Sequence, residues 1–485
     1  MTPGNSPHED PAEGRDVRNM EPNEGTMSET LSSGSISTRL ARIAELARKR
    51  PEMLFSSVHH CIDVEWLREA YRRTRKDAAV GVDGQSAEDY ARDLEKNLES
   101  LLGRFRTGSY RAPPVRRVHI PKGDGRTRPI GVPTFEDKIL QRAVAMLLDA
   151  IYEQDFHPGS YGFRPGRSAH DALEVLWKGV MSYGGAWIVE VDIPSFFDTL
   201  DHGALRSFLD GRVTDGVIRR AIDKWLKAGV MESGAVTHPD EGTPQGGVIS
   251  PILANVYLHE VLDRWFEAEV KPRLRGRALL VRYADDFVIA FAEEADARRV
   301  MDVLPKRFER YGLTLHPDKT RLVNFTRPRR GGGDDEGDGP GSFDLLGFNH
   351  HWGLSRKGNV VVQRTTMRSR FTRAIGRVRD WCRINRHLPI AEQCTALGHK
   401  LRGHFGYYGI TGNSEALSRF AYEVERAWHK WLSRRSQKGY MDWPRFNLLL
   451  ARYPLPPPRV VHSVFAPNAA RPPPPASRRR PARVF

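Results

Sequence analysis

Three aspartates in this chain stand at the ends of apolar runs: Asp192 in VDIPSFFD, and the adjacent pair Asp285 and Asp286 in VRYADDFVIA. Carboxylates gathered at one point repel one another and lose hydration, which costs several kcal/mol unless a cation offsets it. Oxygen donors with neither His nor Cys beside them suit Mg²⁺, which takes one or two carboxylates and leaves positions for water and phosphate oxygens. Two such ions activate an attacking hydroxyl and stabilise the leaving oxygen of an in-line phosphoryl displacement. An Asp-Asp pair on its own does no more than close a hairpin. The chemistry requires that the three carboxylates meet.

The flanking residues predict how they meet. The apolar, β-branched run from Trp187 to Ile193 predicts a buried strand with Asp192 near its C-terminal end, and Pro194 stops it. ALLVRY and FVIAFA predict two further strands closed by a tight turn at Ala284, Asp285 and Asp286. If the three strands share a sheet, the carboxylates converge at its edge. Lys122 and Arg128 flank GDG, a turn signature between extended segments, which predicts a hairpin carrying both cations. Gln245 lies in TPQGG, a glycine-rich turn that lets backbone approach a ligand. Ser250 and Pro251 read as the N-cap and first turn of a helix that carries Leu253, Val256, Tyr257 and Val261 inward, as core.

A chain of 485 residues with 39% hydrophobic content can bury a large core, and the length suits two or three domains. Its 75 Lys and Arg against 60 Asp and Glu give a net charge of +15, which favours a polyanionic partner such as nucleic acid. Cys61, Cys382 and Cys394 are odd in number and far apart, so neither a disulfide framework nor a zinc site is indicated. The polar, acidic N-terminus is unlike a signal peptide, and no apolar run approaches the roughly 18 residues of a membrane helix. The expectation is a soluble, cytoplasmic protein without a membrane partner; its oligomeric state is not legible.

Composition divides the chain. Residues 1–37 are rich in Pro, Gly, Ser and Glu and read as a disordered tail, as does the Pro/Arg-rich stretch 453–485. Residues 38–110 read as helical and basic, 111–350 as mixed strand and helix, and 351–452 as helical and strongly basic. The Gly/Asp-rich stretch 327–342 reads as an exposed loop. From Arg356 to Arg386 there are ten Lys or Arg against one acid, Asp380, while Ile375, Val378, Trp381 and Ile384 keep helical spacing. In the following helix Phe420, Val424, Trp428, Trp431 and Leu432 do the same. Basic helices beside aromatic side chains suit RNA recognised by shape, phosphate contacts and stacking.

In order and spacing, YADD, VDIPSFFD, TPQGGVISPILANVYL, IPKGDGRTRPIGVPT and SYGFRPGRSAHDAL are those of a reverse transcriptase, and the set resembles the reverse transcriptase/maturase proteins encoded by bacterial group II introns. The resemblance runs from about residue 45 to about residue 450. It implies an α/β right-hand polymerase: fingers with a helical extension (38–110), fingers and an RRM-like split βαβ palm (111–350), and a helical thumb/maturase domain (351–452). It implies that Asp192, Asp285 and Asp286 are catalytic and, with the carbonyl of Ile193, hold two Mg²⁺ ions. By the same resemblance Phe197 lies against the sugar of the incoming nucleotide and favours dNTPs, and Lys122, Arg128, Gln245 and Lys319 surround the triphosphate. Leu346 and Gly347 in LLGF correspond to the primer grip, although the Gly/Asp insertion at 331–342 widens the spacing before it. Arg164 and Arg167 correspond to template contacts, and Arg368, Arg370, Arg373, Arg377 and Arg379 to RNA contacts. No Cys pairs or His cluster follow, so the endonuclease domain of some family members is not expected.

The implied function is RNA-directed DNA polymerase activity, with group II intron RNA as template and splicing substrate and a DNA primer or target. Two other readings stand beside it: an RNA-binding maturase with an inactive polymerase site, and a domesticated reverse transcriptase serving defence or repair.

Overall fold

The computed structural model describes residues 34–121, 127–232, 235–237, 246–328, 340–355, 357–436 and 439–463. Lys122 and Gln245 lie outside the described residues, as does most of the glycine-rich insertion. Among the described residues no helix is long and apolar enough to cross a membrane.

Four helices lead the chain: α1 (Ile36–Lys49), α2 (Val64–Arg73), the single turn α3 (Ala87–Ala91) and α4 (Leu94–Thr107). Helix α1 starts inside the stretch read as tail, because the Ser35 side chain accepts from the Thr38 N–H and caps it. Strands β1 (Val115–Pro121) and β2 (Thr127–Val132) form the expected antiparallel hairpin, with Ile120 opposite Arg128. Helix α5 (Phe135–Tyr152) follows. It is covered almost all round: 14 of its 18 residues are buried, Asp137, Lys138 and Gln141 among them, which places it at the centre of a core. Helix α6 (Ala169–Tyr183) opens on a Ser168–Asp171 capping box and ends at left-handed Gly184.

Strand β3 (Gly185–Val191) precedes α7 (His202–Asp210), α8 (Gly216–Leu226) and the short β4 (Val230–Glu232) and β5 (Ala235–Thr237), which join the hairpin in the order β2-β1-β4-β5. Helix α9 (Ser250–Leu258) buries Leu253, Val256 and Tyr257, and its π-helical continuation buries Val261. Ser250 is not the cap: it is the first helical residue and buried, after Ile249. The Gln141 side-chain oxygen instead accepts from the N–H groups of Val248 and Ile249 at 2.8 and 3.3 Å.

Strands β6 (Ala278–Tyr283) and β7 (Asp286–Phe291), helix α10 (Glu294–Glu309) and strand β8 (Arg321–Thr326) complete a central antiparallel sheet in the order β6-β7-β3-β8. Alternation along its strands sorts the side chains. Val189, Val191, Phe287, Ile289 and Phe291 enter a large core with α5, α9 and α10, while Ile188, Val288 and Ala290 enter a second core with α6. Being covered on both faces, these strands read as continuous apolar runs. The second core is closed by β9 (Phe343–Leu345), β10 (Phe348–Leu354) and β11 (Val360–Thr366) in the order β11-β10-β9. Gly341 donates to Asn324 of β8 at 2.8 Å, so the chain is back beside its departure point and the insertion leaves the LLGF register intact.

Helices α11 (Arg368–Ile384), α12 (Ile390–Tyr408), α13 (Ser414–Leu432) and α14 (Trp443–Arg452) share a third core. Ile375 and Val378 face into it as expected, whereas Ile384, at the helix end, is 61% exposed and Cys382 takes the inward place. The first part of the proline-rich stretch, read from sequence as tail, is anchored to the fold. Tyr453 and Leu455 pack on the third core, and the N–H groups of Val461 and His462 donate to Gly409 at 2.7 and 2.8 Å.

Candidate active site

The register of the central sheet brings the aspartates together. Strand β3 pairs with β7 through Glu190–Val288 and Val191–Phe287, so the next step sets Asp192 opposite Asp286. Strand β3 ends at Val191, one residue short of Asp192, which leaves that residue's backbone outside the ladder; its carbonyl instead accepts from the His316 N–H at 2.9 Å. Across the other edge of β7, Tyr283 pairs with Asp286, and Ala284 and Asp285 form a two-residue loop. Ala284 has φ 59°, a left-handed conformation uncommon for a residue with a side chain. A Cβ at Gly162 would collide with the Ala284 nitrogen, so the segment around Gly162 backs directly onto this turn. Ser160 bridges Arg282, with 2.8 Å hydrogen bonds from Tyr161 to Arg282 and from Arg282 to Gly159.

Electrostatics at the turn are those of crowded carboxylates. Burial raises the Asp285 carboxyl, Arg128 opposes that, and Asp192 adds to it. Asp286 keeps a solvent-facing edge, yet the surrounding protein desolvates its carboxyl and, with Asp285 and Asp192 nearby, pushes it up to about 7. A backbone hydrogen bond from Leu346 pulls in the other direction. Lys319 Nζ stands 2.9 Å from Asp192 Oδ2. Among the described residues no group of three or more His, Cys, Asp or Glu side chains is arranged to hold a metal ion. The donors nevertheless fit a hard divalent ion that uses one or two carboxylates and fills its remaining positions with water and phosphate oxygens.

Other predicted residues divide. Arg128 is exposed on β2 and close enough for its charge to act on Asp285, which puts the hairpin over the aspartates. Gly246, next to Gln245, has φ 116° and packs against Ile130 and Gly131 of β2. Phe197 is half-buried, edge-on to Phe196 at 5.3 Å, and Ile193 is buried in the large core. Leu346 and Gly347 form the β9–β10 loop beside Asp286. Arg164 points inward instead: it is 6% exposed, forks onto Glu153 at 2.8 and 2.9 Å, and donates to the carbonyls of His157 and Ser160. A guanidinium so committed fastens the 157–164 loop and has little left for phosphate. Arg167 donates to the Pro158 carbonyl at 2.7 Å and lies over Tyr161.

Sequence reasoning missed the support beneath the turn. Arg282 is fully buried, forks onto Asp263 at 2.5 and 2.8 Å, and donates to Asn255 Oδ1 at 3.1 Å and the Ala284 carbonyl at 3.0 Å. Asn255 donates in turn to the Gly162 carbonyl at 2.8 Å. A lone Arg inside an otherwise apolar strand was the available signal.

On α11, Arg368, Arg370 and Arg377 are exposed and Arg373 is half-buried, and none makes an ion pair with a described residue. Arg379 differs: it is paired with Glu423 of α13 at 2.6 Å.

The central antiparallel sheet thus carries three aspartates at one end, with Lys319 beside Asp192 and the charge of Arg128 acting on Asp285. Residues 120–350 match the family model described as reverse transcriptase (RNA-dependent DNA polymerase). Protein YkfC of Escherichia coli (strain K12) is 36% identical over 294 residues, covering 53% of this chain and 76% of that protein. The group II intron-encoded protein LtrA of Lactococcus lactis subsp. cremoris is 27% identical over 474 residues, covering 80% and 76%. The putative COX1/OXI3 intron 2 protein of Saccharomyces cerevisiae is 37% identical over 381 residues, covering 67% and 41%. The chain belongs to the group II intron-encoded reverse transcriptase/maturase family.

Proposed function

We propose that this protein is an RNA-directed DNA polymerase that copies RNA by two-metal nucleotidyl transfer and also binds group II intron RNA to assist splicing and mobility. The observation that carries the reading is the β3–β7 register, which sets Asp192 opposite Asp286 with Asp285 adjacent and Lys319 and Arg128 facing them. In a right-hand description, residues 38–110 and the β1–β2 hairpin are fingers, the central sheet is the palm, and residues 351–452 are the thumb/maturase domain.

In the reaction the primer 3′-hydroxyl attacks the α-phosphorus of a dNTP, a new phosphodiester forms, and the bond to pyrophosphate breaks. Asp192, Asp285 and Asp286, with the Ile193 carbonyl, would hold two Mg²⁺ ions, which supply Lewis acidity to the attacking and leaving oxygens when bound. Arg128, joined by Lys122 and Gln245, orients the triphosphate; the planar fork of Arg128 suits paired phosphate oxygens. Lys319 brings positive charge to the side of Asp192 where the pyrophosphate leaves. Phe197 restricts the sugar, and the Leu346–Gly347 loop holds the primer end. Arg167 contacts the template, and Arg368, Arg370, Arg373 and Arg377 contact RNA phosphates from the bundle.

The test is DNA-primer extension by the purified chain on an RNA template, with dNTPs and with rNTPs in separate reactions. Extension with dNTPs and not with rNTPs supports the reading. Tight binding of intron RNA without extension in either reaction would replace it with the maturase-only reading.

A further inference from the structure

The loop between β9 and β10 is held in an unusual conformation. Leu346 and Gly347 have φ 51° and 82°, both left-handed, and Leu345 pairs with Phe348 across them. Glycine adopts this backbone freely. Leucine does not, and Asn or Asp ordinarily fills the first place of such a turn. Strain of this kind persists where surrounding contacts over-determine it.

Leu346 has a partner at each end. Its backbone on the N–H side lies near enough to the Asp286 carboxyl to oppose the rise in that group's pKa, and its carbonyl accepts from the Tyr407 hydroxyl at 2.7 Å, across 61 residues of sequence. Tyr407 stands in the last turn of α12 and is itself fixed. The ring of Phe348 stacks against it at 5.8 Å, and its carbonyl accepts from His170 Nε2 at 2.8 Å, which ties it to α6. Burial, with smaller contributions from Tyr408 and Tyr283, pushes the Tyr407 hydroxyl up to about 12, so it remains a donor at neutral pH. Gly347 completes the contact: it lies against the Tyr408 ring and the Arg370 stem, and its carbonyl accepts from the Met367 N–H at 3.1 Å.

We propose that Tyr407 is a positioning residue that, by hydrogen-bonding the Leu346 carbonyl, holds the strained Leu346–Gly347 loop against Asp286 and so couples the C-terminal helical bundle to the active site. This rests on the polymerase reading of that site. Removing the hydroxyl frees one end of Leu346, the loop relaxes out of the left-handed region, and the Leu346 N–H leaves Asp286. Seating of the bundle then sets the geometry of a carboxylate that belongs to a different layer.

The experiment compares wild type, Tyr407→Phe and Tyr408→Phe in the full chain, by hydrogen exchange of the 343–348 amides and by primer extension. Tyr407→Phe is expected to speed exchange in that segment alone and to lower kcat about fivefold, the size of one hydrogen bond, with KM for dNTP changed less than about twofold. Tyr408→Phe, whose ring packs in the same place, is expected to leave 343–348 exchange unchanged. Wild-type exchange and kcat in Tyr407→Phe would overturn the proposal, as would faster exchange spread across the whole bundle. Failure of wild type to extend a primer would instead overturn the polymerase reading, while the exchange result still judges the clamp.

Discussion

Arg282 and Asp263 form a forked ion pair, at 2.5 and 2.8 Å, with both side chains completely buried beneath the Ala284–Asp285 turn. Burial alone would raise the Asp263 carboxyl, but Arg282, with help from His259, holds it well below the usual carboxylate range. The pair does more than neutralise itself, because the remaining Arg282 donors fix the carbonyl of left-handed Ala284. Arg282→Met leaves Asp263 buried without its guanidinium, with only His259 at 3.7 Å beside it, and it should cost about 3–5 kcal/mol in chemical denaturation. Adding Asp263→Leu removes the stranded charge and should restore most of that loss. Equal stability of wild type and Arg282→Met would show that the pair does not support the turn.

Lys319 presents the contrasting case. Its pair with Asp192 lies at the surface, with side chains 58% and 43% exposed, so Lys319→Ala should change stability by less than about 1 kcal/mol. In the proposed reaction its charge faces the leaving group, and losing it should slow nucleotide addition about 100-fold. Denaturation and single-turnover kinetics on the same variant separate the two effects.

RNA contacts on α11 should be unequal. Arg373→Ala or Arg377→Ala should weaken RNA binding and lower the slope of log K against log salt by about 0.7 for each phosphate no longer neutralised. Arg379→Ala should do neither, because Glu423 already holds that guanidinium at 2.6 Å. Binding titrations at several salt concentrations read both quantities.

Acid should act on the bundle through His404. Burial lowers this imidazole from 6.5 to about 4, and it lies flat against Phe420 at 3.6 Å. Because the folded value is depressed, the unfolded chain takes up the proton first as pH falls. The stability that the neutral ring contributes is therefore complete above pH 6.5 and declines until pH passes about 4. Buried carboxyls raised in the fold, such as Asp137 at about 6 and Asp149 at about 7, act in the opposite direction, so the measurement is a difference. Thermal melts of wild type minus His404→Phe should fall steadily across that window and stay flat above it.

Legibility in the sequence followed the range of the physics involved. Strands β3, β6 and β7 announced themselves because both faces are buried, and the β1–β2 hairpin because its turn chemistry is local. The convergence of Asp192 with Asp285 and Asp286 needed only a shared sheet, and β3 and β7 are neighbours in one. What stayed hidden depended on partners distant in sequence. Arg164 looked like a phosphate ligand until Glu153 and two carbonyls claimed it, and Gln141 reaches 107 residues to begin α9 in place of Ser250. The docking of residues 453–463 was illegible for the same reason: proline ruled out helix and ladder, but the third core and Gly409 supply the anchorage.

That Asp192, Asp285 and Asp286 act as one phosphoryl-transfer centre is tested most directly by single-nucleotide addition to a primer annealed to an RNA template. Wild type, Asp192→Asn and Asp285→Asn are compared, with RNA affinity measured alongside. Each substitution is expected to lower addition by about 1,000-fold or more, as loss of a principal electrostatic element does, while RNA affinity stays within about twofold. Near-wild-type addition by either variant would contradict a shared centre.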